Sequence, residues 1–208
     1  MLRPLSLAAV LIANVAAAQK PPAQKPRAQP PLAVFAGERI IVLPVQMLRA
    51  DTGAFVDAVR WGAFRKELDD SIGSAIAERG LGKKWAYAAD VLKSAKRNAA
   101  YTSDPYSLGA QPMRGVPIKA GDKIPALFGS NLRALIALGD TRFALLPIEV
   151  VFQGNGGMQR AALRLALVDG RSGVFVWAGD VASDPASSLT PAIVTSLAAR
   201  VADLVAVP

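Results

Sequence analysis

The sequence contains no histidine and no cysteine. Histidine is the commonest general base and metal ligand, and cysteine supplies thiol nucleophiles and zinc ligands. Their absence excludes thiol catalysis, disulfides and zinc sites built on nitrogen or sulfur ligands. Catalysis by carboxylates alone, or by a serine with a lysine, stays open. We therefore predict a protein that is not an enzyme and that holds no metal and no cofactor.

Recognisable nucleotide-binding and paired-acid motifs are also missing. The glycine cluster at 154–157, GNGG, lacks the lysine of a phosphate-binding loop and the spacing of a dinucleotide fingerprint. It lies between two predicted strands, which favours a hairpin turn. Asp69 and Asp70 are consecutive residues of a predicted helix. We expect them to be solvated helix charges, because consecutive helical side chains diverge by about 100°.

The N-terminal segment has the pattern of a secretory signal. Arg3 precedes an apolar run at 5–18, LSLAAVLIANVAAA, that ends in small residues. The run is short for a membrane span, which needs about 20 residues. We expect cleavage near Ala18, no transmembrane segment afterwards, and a periplasmic or secreted location. A retained N-terminal anchor is the alternative.

Residues 19–38 are predicted to form a Pro-rich disordered tether. The stretch at 19–33, QKPPAQKPRAQPPLA, carries three basic residues and no acidic one. Prolines favour an extended chain, and so polar a segment cannot bury enough apolar surface to fold. Residues 39–208 are predicted to form a single α/β domain, within the usual size of one domain.

The first part of that domain combines a buried strand with a long helix. The apolar run at 39–46, RIIVLPVQ, predicts a strand buried on both faces. The helix is expected to run from Phe55 or Phe64 to Arg79, with Gly80 ending it. Its apolar stripe has a four-residue spacing: Phe64, Leu68, Ile72 and Ile76.

The middle of the chain contains two shorter helices joined by a long loop. A short strand at 85–87 should lead into a helix that ends near Arg97, and a second amphipathic helix is expected at 125–138. The loop between them, 101–125, is dense in proline, glycine, serine and aspartate. Loops of this length are uncommon in compact domains without a function.

The C-terminal third predicts a three-stranded antiparallel meander followed by a helix. FALLPIEVVFQ, QRAALRLALVD and GVFVWAGDV are strand-like and separated by turn residues. Glu149 should lie on a polar face and pair with Arg160 or Arg164 of the next strand. The last helix should begin with Thr190 as N-cap and Pro191 at its first position. One face of the first strand is expected to carry Leu146, Ile148, Val150 and Phe152.

Together these elements predict an α/β sandwich. Its mixed sheet contains the C-terminal three-stranded antiparallel meander, and helices pack against it.

Short motifs at both ends of the domain resemble a superfamily of bacterial envelope domains. They are VLPV at 42–45 and LVDGRSGVFVW at 167–177, where Asp169, Gly173 and Trp177 fit a D-x-x-[ST]-G-x-x-x-W pattern. The superfamily includes the N-terminal domain of TolB, the curli secretion channel subunit and the peptidoglycan-synthase activator lipoproteins. The resemblance implies a non-enzymatic domain that docks to other envelope proteins. The lipidation cysteine usual in the activators and the channel subunit is absent.

The formal net charge of +8 favours an anionic partner. For an exported chain, we expect an envelope protein or an anionic envelope polymer and not nucleic acid; no oligomeric state is predicted. The predicted contact residues lie in and before the long loop: Trp85, Lys93, Lys96, Arg97, Tyr101 and Tyr106. Ordinary solvated faces would also explain the cations.

Two other functions stay open. A carboxylate-only hydrolase requires two acidic side chains that converge in a cleft, with the pKa of one raised by burial. A small-ligand-binding periplasmic protein requires an enclosed apolar pocket, expected under the loop at 101–125.

Overall fold

The computed structural model describes residues 29–51, 61–155, 157–187 and 191–206. The predicted signal segment, residues 19–28 of the tether, the helix start at Phe55 and the N-cap at Thr190 lie outside these residues. In the described ranges, six strands form one mixed sheet with helices on both faces. The strands are β1 Ile40–Val42, β2 Met47–Ala50, β3 Trp85–Ala86, β4 Phe143–Asn155, β5 Met158–Asp169 and β6 Val174–Ala182. The helices are α1 Trp61–Ile76, α2 Ala88–Arg97, α3 Ala126–Gly139 and α4 Pro191–Asp203.

Each face of the sheet has its own apolar core. Side chains of α1 and α4 pack on one face, and side chains of α2 and α3 pack on the other. Strands β4, β5 and β6 form the antiparallel meander. The predicted α/β sandwich and its C-terminal meander are therefore confirmed.

The first predicted strand is broken into two segments on the same edge of β4. The sheet order is β3-β1-β4-β5-β6, and both β1 and β2 pair with β4 in parallel. Proline has no N–H to donate to a sheet, and Pro44 lies in the gap while Pro147 lies opposite it on β4. The Gln46 N–H resumes the pairing by donating to the Pro147 carbonyl at 3.0 Å. The Val45 N–H instead turns away from the sheet and donates to the Asp69 side chain.

A bulge in β4 changes which side chains share a face. The register with β5 shifts between Pro147 and Glu149. As a result, Leu146 and Ile148 belong to the α2/α3 core, whereas Val150 belongs to the α1/α4 core, as does Phe152. The prediction that all four share one face was wrong, because an extra residue in a strand reverses the alternation that follows.

The apolar stripe of α1 lies in the core, as its spacing predicted. Leu68, Ile72 and Ile76 are at most 1% exposed. Burial of each such side chain stabilises the folded state by about 1.5–3 kcal/mol. Phe64 packs edge-on against Phe152 with ring centroids 5.0 Å apart. A π-helical turn at Ala77–Leu81 follows the helix, and Gly80 adopts φ of 86° there. This left-handed conformation favours glycine and fits the predicted stop.

The domain begins before residue 39. Leu32 is 0% exposed, and its N–H donates to the Leu204 carbonyl at 2.8 Å. Phe35, in the 3₁₀ turn Ala33–Phe35, packs edge-on against Phe143 at 5.3 Å. The predicted boundary at 38 is corrected, because Leu32 buries a large apolar side chain despite its proline-rich surroundings.

The hairpin between β5 and β6 has a polar tip that is structural. Asp169 accepts hydrogen bonds from the Arg171 N–H at 2.9 Å and from the Arg142 guanidinium at 2.6 Å. The bond from Arg142 is the main cause that lowers the pKa of Asp169 to about 2. Gly173 completes the turn with φ of 69°. The carboxylate is therefore occupied in closing the turn.

Candidate partner-binding surface

Helix α2 separates a buried apolar side from an exposed basic side. Its buried residues are Ala88, Val91 and Ala95. Three of the predicted contact residues are exposed on its other side: Lys93, Lys96 and Arg97. Its one carboxylate, Asp90, accepts a bond from the Tyr87 N–H at 3.4 Å at the start of the helix. The exposed side of α2 is therefore positively charged.

The aromatic residues predicted for contact lie in different environments. Trp85 is 3% exposed and packs in the α1/α4 core. We remove it from the contact set, because β3 turns its indole inward. Tyr101 is 82% exposed directly after α2, while Tyr106 is half-buried. Tyr101 is therefore accessible to a partner, whereas the Tyr106 hydroxyl donates a hydrogen bond within the domain, to Asp69.

The segment 101–125 is a packed cover over one face of the sheet. It contributes three residues to the α2/α3 core: Leu108, Ala110 and Met113. It is tied to α2 where the Thr102 hydroxyl donates to the Ala95 carbonyl at 3.3 Å. Its other end pairs with the sheet, since the Gly121 N–H donates to the Phe175 carbonyl at 2.8 Å. The structure therefore joins this segment to the basic helix in one surface.

A buried carboxylate fixes the first half of this segment. Asp69 is 4% exposed and accepts hydrogen bonds from the Val45 N–H at 2.8 Å and the Tyr106 hydroxyl at 2.9 Å. Burial is the main cause that raises the pKa of Asp69 to about 6. The Arg65 guanidinium lies 4.2 Å from the centre of the Tyr106 ring. Asp69 thus joins α1, the strand break and the segment at one point.

The expectation for the Asp69-Asp70 pair was wrong for Asp69 and right for Asp70. Asp70 is exposed and accepts a bond from Lys66, one turn earlier, at 2.7 Å. Asp69 follows the fully buried Leu68 and precedes the buried Ile72 by three positions, so α1 turns it toward the sheet. One turn later, Gly73 has no side chain, which allows the Tyr87 side chain to approach the helix closely.

A second buried carboxylate fixes the other half of the segment. Glu149 is 1% exposed and accepts bonds from the Arg49 side chain at 3.1 Å and from the Gly115 N–H at 3.3 Å. The Arg114 guanidinium lies 3.8 Å away. Arg164 lies opposite Glu149 in the register but binds Asp180 instead. The predicted pairing with Arg160 or Arg164 was therefore wrong.

The bulge explains why Glu149 has these partners. It places the Glu149 side chain on the face of the sheet that the segment 101–125 covers, where the Gly115 N–H and the Arg49 side chain reach its carboxylate. The carboxylate of Glu149 is buried with a half-buried guanidinium and a backbone donor. Such a charge is tolerated only when it is paired and hydrogen-bonded.

The outer side of the surface mixes cations with exposed apolar groups. The large apolar side chains exposed on the segment and on α3 are Val116 at 48%, Leu127 at 67% and Leu138 at 39%. The exposed cations of the segment are Arg114, Lys119 and Lys123. Its acids are locally engaged, since Asp104 accepts from the Tyr106 N–H and Asp122 accepts from the Lys119 N–H. The surface thus offers positive charge and apolar area together.

A small apolar pocket lies between α2 and α3. Its volume is about 190 Å³. Asp90 and Ser94 are its polar lining residues, and the others are apolar or glycine: Ile41, Ala86, Val91, Leu135, Leu138 and Gly139. This pocket lies beside the exposed cations of α2. It differs from the pocket predicted under the loop, where Leu108 and Met113 fill the space at 0% and 3% exposure.

An acidic cleft of about 320 Å³ lies between α1 and the start of α2. Asp69, Asp70 and Asp90 line it, together with Tyr87. Each of these carboxylates already accepts a hydrogen bond from a neighbour within the domain. Within the described ranges, no group of three or more acidic side chains is placed to hold a metal ion.

A wider open groove of about 650 Å³ runs between α1 and α4 on the opposite face. Its charged residues include ion-paired ones, such as Lys66 with Asp70 and Arg79 with Asp203. In the part of the chain that the structure covers, no helix has both the length and the apolarity needed to cross a membrane.

No family model and no curated protein matches the chain. Solved structures with a similar fold include the PelC dodecamer from Paraburkholderia phytofirmans, with 14% identity, a TM-score of 0.41, and coverage of 86% of this chain and 94% of that one. Lipoprotein GNA1162 from Neisseria meningitidis has 15% identity, a TM-score of 0.40, and coverage of 78% and 93%. LpoB from E. coli has 12% identity, a TM-score of 0.42, and coverage of 89% and 84%. Because these TM-scores are below 0.5, the function proposed below rests on this chain's own residues.

Proposed function

We propose that this chain is an exported, non-enzymatic docking domain of the bacterial envelope, and that α2 and the segment 101–125 form its contact surface. The observation that supports this is the way the segment is held. Two buried carboxylates, Asp69 and Glu149, fix it from beneath, while Tyr101 stays 82% exposed. A surface that is already ordered loses less conformational entropy on binding than a free loop would.

The charge of the surface supports an anionic partner. The exposed cations of α2 and of the segment outnumber their acids, and several of those acids are engaged in local backbone bonds. Positive charge around an apolar centre accelerates encounter with acidic partners and fixes their orientation.

Export is the second part of the proposal and rests on the sequence at 1–18. Cell fractionation after expression in a Gram-negative host tests it. We expect the chain in the periplasmic or culture fraction, with a mass that corresponds to cleavage near Ala18. A chain that stays in the cytoplasm would contradict export.

Site-directed photo-crosslinking in the native envelope tests the contact surface. A benzoylphenylalanine in place of Tyr101 should capture a partner, because this side chain is 82% exposed where the segment follows α2. The same probe in place of Thr195, exposed on α4 of the opposite face, is the matched control. Equal capture at both positions, or capture at Thr195 alone, would contradict the proposed surface.

Point substitutions are the better genetic test, because deletion of the segment would uncover the core at Leu108 and Met113. The double variant Lys96→Glu with Arg97→Glu reverses charge at exposed positions and should leave the fold intact. We expect it to reduce crosslinking from position 101. Unchanged capture would show that these cations do not contribute.

A carboxylate-only hydrolase is a second candidate, favoured by the pKa of about 6 at Asp69 in a cleft shared with Asp70 and Asp90. The bonds that Asp69 already accepts from Val45 and Tyr106 favour the structural role. Incubation with envelope glycans and chromogenic glycosides tests the alternative. Turnover that disappears in Asp70→Asn, a surface substitution, would support hydrolysis over docking.

A further inference from the structure

The pocket between α2 and α3 and the cations of α2 point to one kind of partner. The pocket, of about 190 Å³, is mainly apolar, and Leu138, one of its lining residues, is 39% exposed. A cavity of about 150 Å³ is large enough to hold a benzene ring. The space therefore suits one large apolar side chain and is too small for an extended apolar ligand.

Helical spacing places positive charge beside this pocket. Ser94 lines the pocket, and Arg97 lies one turn further along the same ridge of α2. Lys93 precedes Ser94 and is exposed on the outer side of the helix. The acid in the pocket, Asp90, accepts a hydrogen bond from the Tyr87 N–H at the helix start.

The three exposed cations of α2 outnumber its one acid, Asp90, so the helix keeps a net positive charge beside the pocket. Beyond α3, the exposed Asp140 is paired with Arg39 at 2.6 Å. Lys93 and Arg97 therefore remain to meet charges from a partner. An anionic polymer would satisfy these cations but would leave the apolar pocket unfilled, whereas a protein segment can satisfy both.

We infer that the α2–α3 pocket receives a phenylalanine or leucine side chain from an acidic protein segment, whose carboxylates meet Lys93 and Arg97. This inference deepens the proposed docking function and rests on it. The pocket provides the anchor contact and the cations select the charge of the flanking residues.

A set of short synthetic peptides tests the inference directly on the full chain. The probe is acetyl-Glu-Glu-Phe-Glu-Glu-amide, and its comparisons are the same peptide with alanine in place of phenylalanine and with lysine in place of glutamate. Binding is followed by methyl chemical shifts in ¹³C-labelled protein and by isothermal titration. We expect shifts at Val91, Leu135 and Leu138, affinity about tenfold lower for the alanine peptide, and loss of binding for the lysine peptide.

Matched variants separate the pocket from the charge. Ser94→Trp should fill the pocket and abolish the advantage of phenylalanine over alanine. Lys93→Glu with Arg97→Glu should lower affinity at least about fivefold. The control, Lys66→Glu with Arg200→Glu, makes the same change in net charge on the α1/α4 face and should bind as the unmodified chain does. Thermal unfolding by circular dichroism confirms that each variant is folded.

The outcomes distinguish this inference from the proposed function. Equal binding of the alanine peptide, or of polyglutamate, with no effect of Ser94→Trp would overturn the inference and indicate an anionic polymer on an intact docking surface. No peptide binding, together with specific capture from position 101, would also overturn the inference and leave docking standing. Absence of specific capture from position 101 would remove the docking surface itself.

Discussion

Replacing Asp69 with asparagine tests the role assigned to the buried carboxylate. The substitution keeps the size of the side chain and keeps an oxygen that can accept from the Val45 N–H. It removes the ionisable group and presents an amide to the Tyr106 hydroxyl. The two bonds of Asp69 hold separate parts of the domain together. Because asparagine matches aspartate in size, the comparison isolates the effect of the ionisable group on the stability of the folded state.

The expected magnitude follows from the pKa of Asp69. Burial raises this pKa from 3.8 to about 6, so the folded protein binds a proton more tightly than the unfolded chain does. The neutral carboxyl group therefore contributes stability that is fully present below pH 3.8 and is lost as the pH rises through about 6. A pKa difference of this size corresponds to about 3 kcal/mol.

Urea unfolding of both proteins from pH 3.5 to pH 7.5, followed by tryptophan fluorescence, measures the effect. The free energy of unfolding of the unmodified protein, minus that of Asp69→Asn, should fall by about 3 kcal/mol across this range and then level off. Other acids, such as Asp169, titrate in both proteins and cancel. A difference that stays constant, or that rises with pH, would refute the reasoning.

Four further substitutions test the packing and the polar contacts. Tyr106→Phe removes a hydroxyl bond that lowers the pKa of Asp69; we expect that pKa to rise further in a carboxyl ¹³C titration and stability to fall by about 1–2 kcal/mol at pH 7. The pKa of Asp169 is lowered to about 2, so the stability that its carboxylate contributes is present above pH 3.8 and is lost as the pH falls through about 2. Asp169→Asn should therefore lower the free energy of unfolding at pH 7 by about 1 kcal/mol, measured by urea unfolding. This value allows for the solvent exposure of its partner, Arg142. Leu163 is 0% exposed, so Leu163→Ala should lower the free energy of unfolding by about 2–5 kcal/mol. Leu127 is 67% exposed, so Leu127→Ala should change it by less than about 0.5 kcal/mol. Equal losses for the two leucines would contradict the assigned core.

Periodicity was enough to predict the regular parts of the fold. The four-residue spacing of apolar residues in α1 and the turn residues between β4, β5 and β6 each specify a local structure that the tertiary packing preserves. The break after β1 was missed, because its cause involves two prolines far apart in the chain. Pro44 and Pro147 interrupt pairing only once β1 and β4 lie side by side.

The candidate surface could be predicted only in part. Lys93, Lys96 and Arg97 are exposed on α2, as charged side chains of an amphipathic surface helix usually are; their part in partner contact stays a prediction. The burial of Trp85 depends on the pairing of β3 with β1, which is not a local property. The two carboxylates that hold the segment 101–125 were missed for the same reason, because their partners come from other elements.

The break between β1 and β2 also has a consequence for how the chain reaches its native state. The contacts of β4, β5 and β6 join neighbouring parts of the sequence, whereas the pairing of Arg49 with Glu149 spans 100 positions. Closing a long loop costs entropy before its contacts form, which slows such pairings relative to hairpins. We expect the C-terminal meander to collapse first and the N-terminal strand to dock last. Between these steps, the β4 edge would lie open, a short-lived binding site for a holding chaperone.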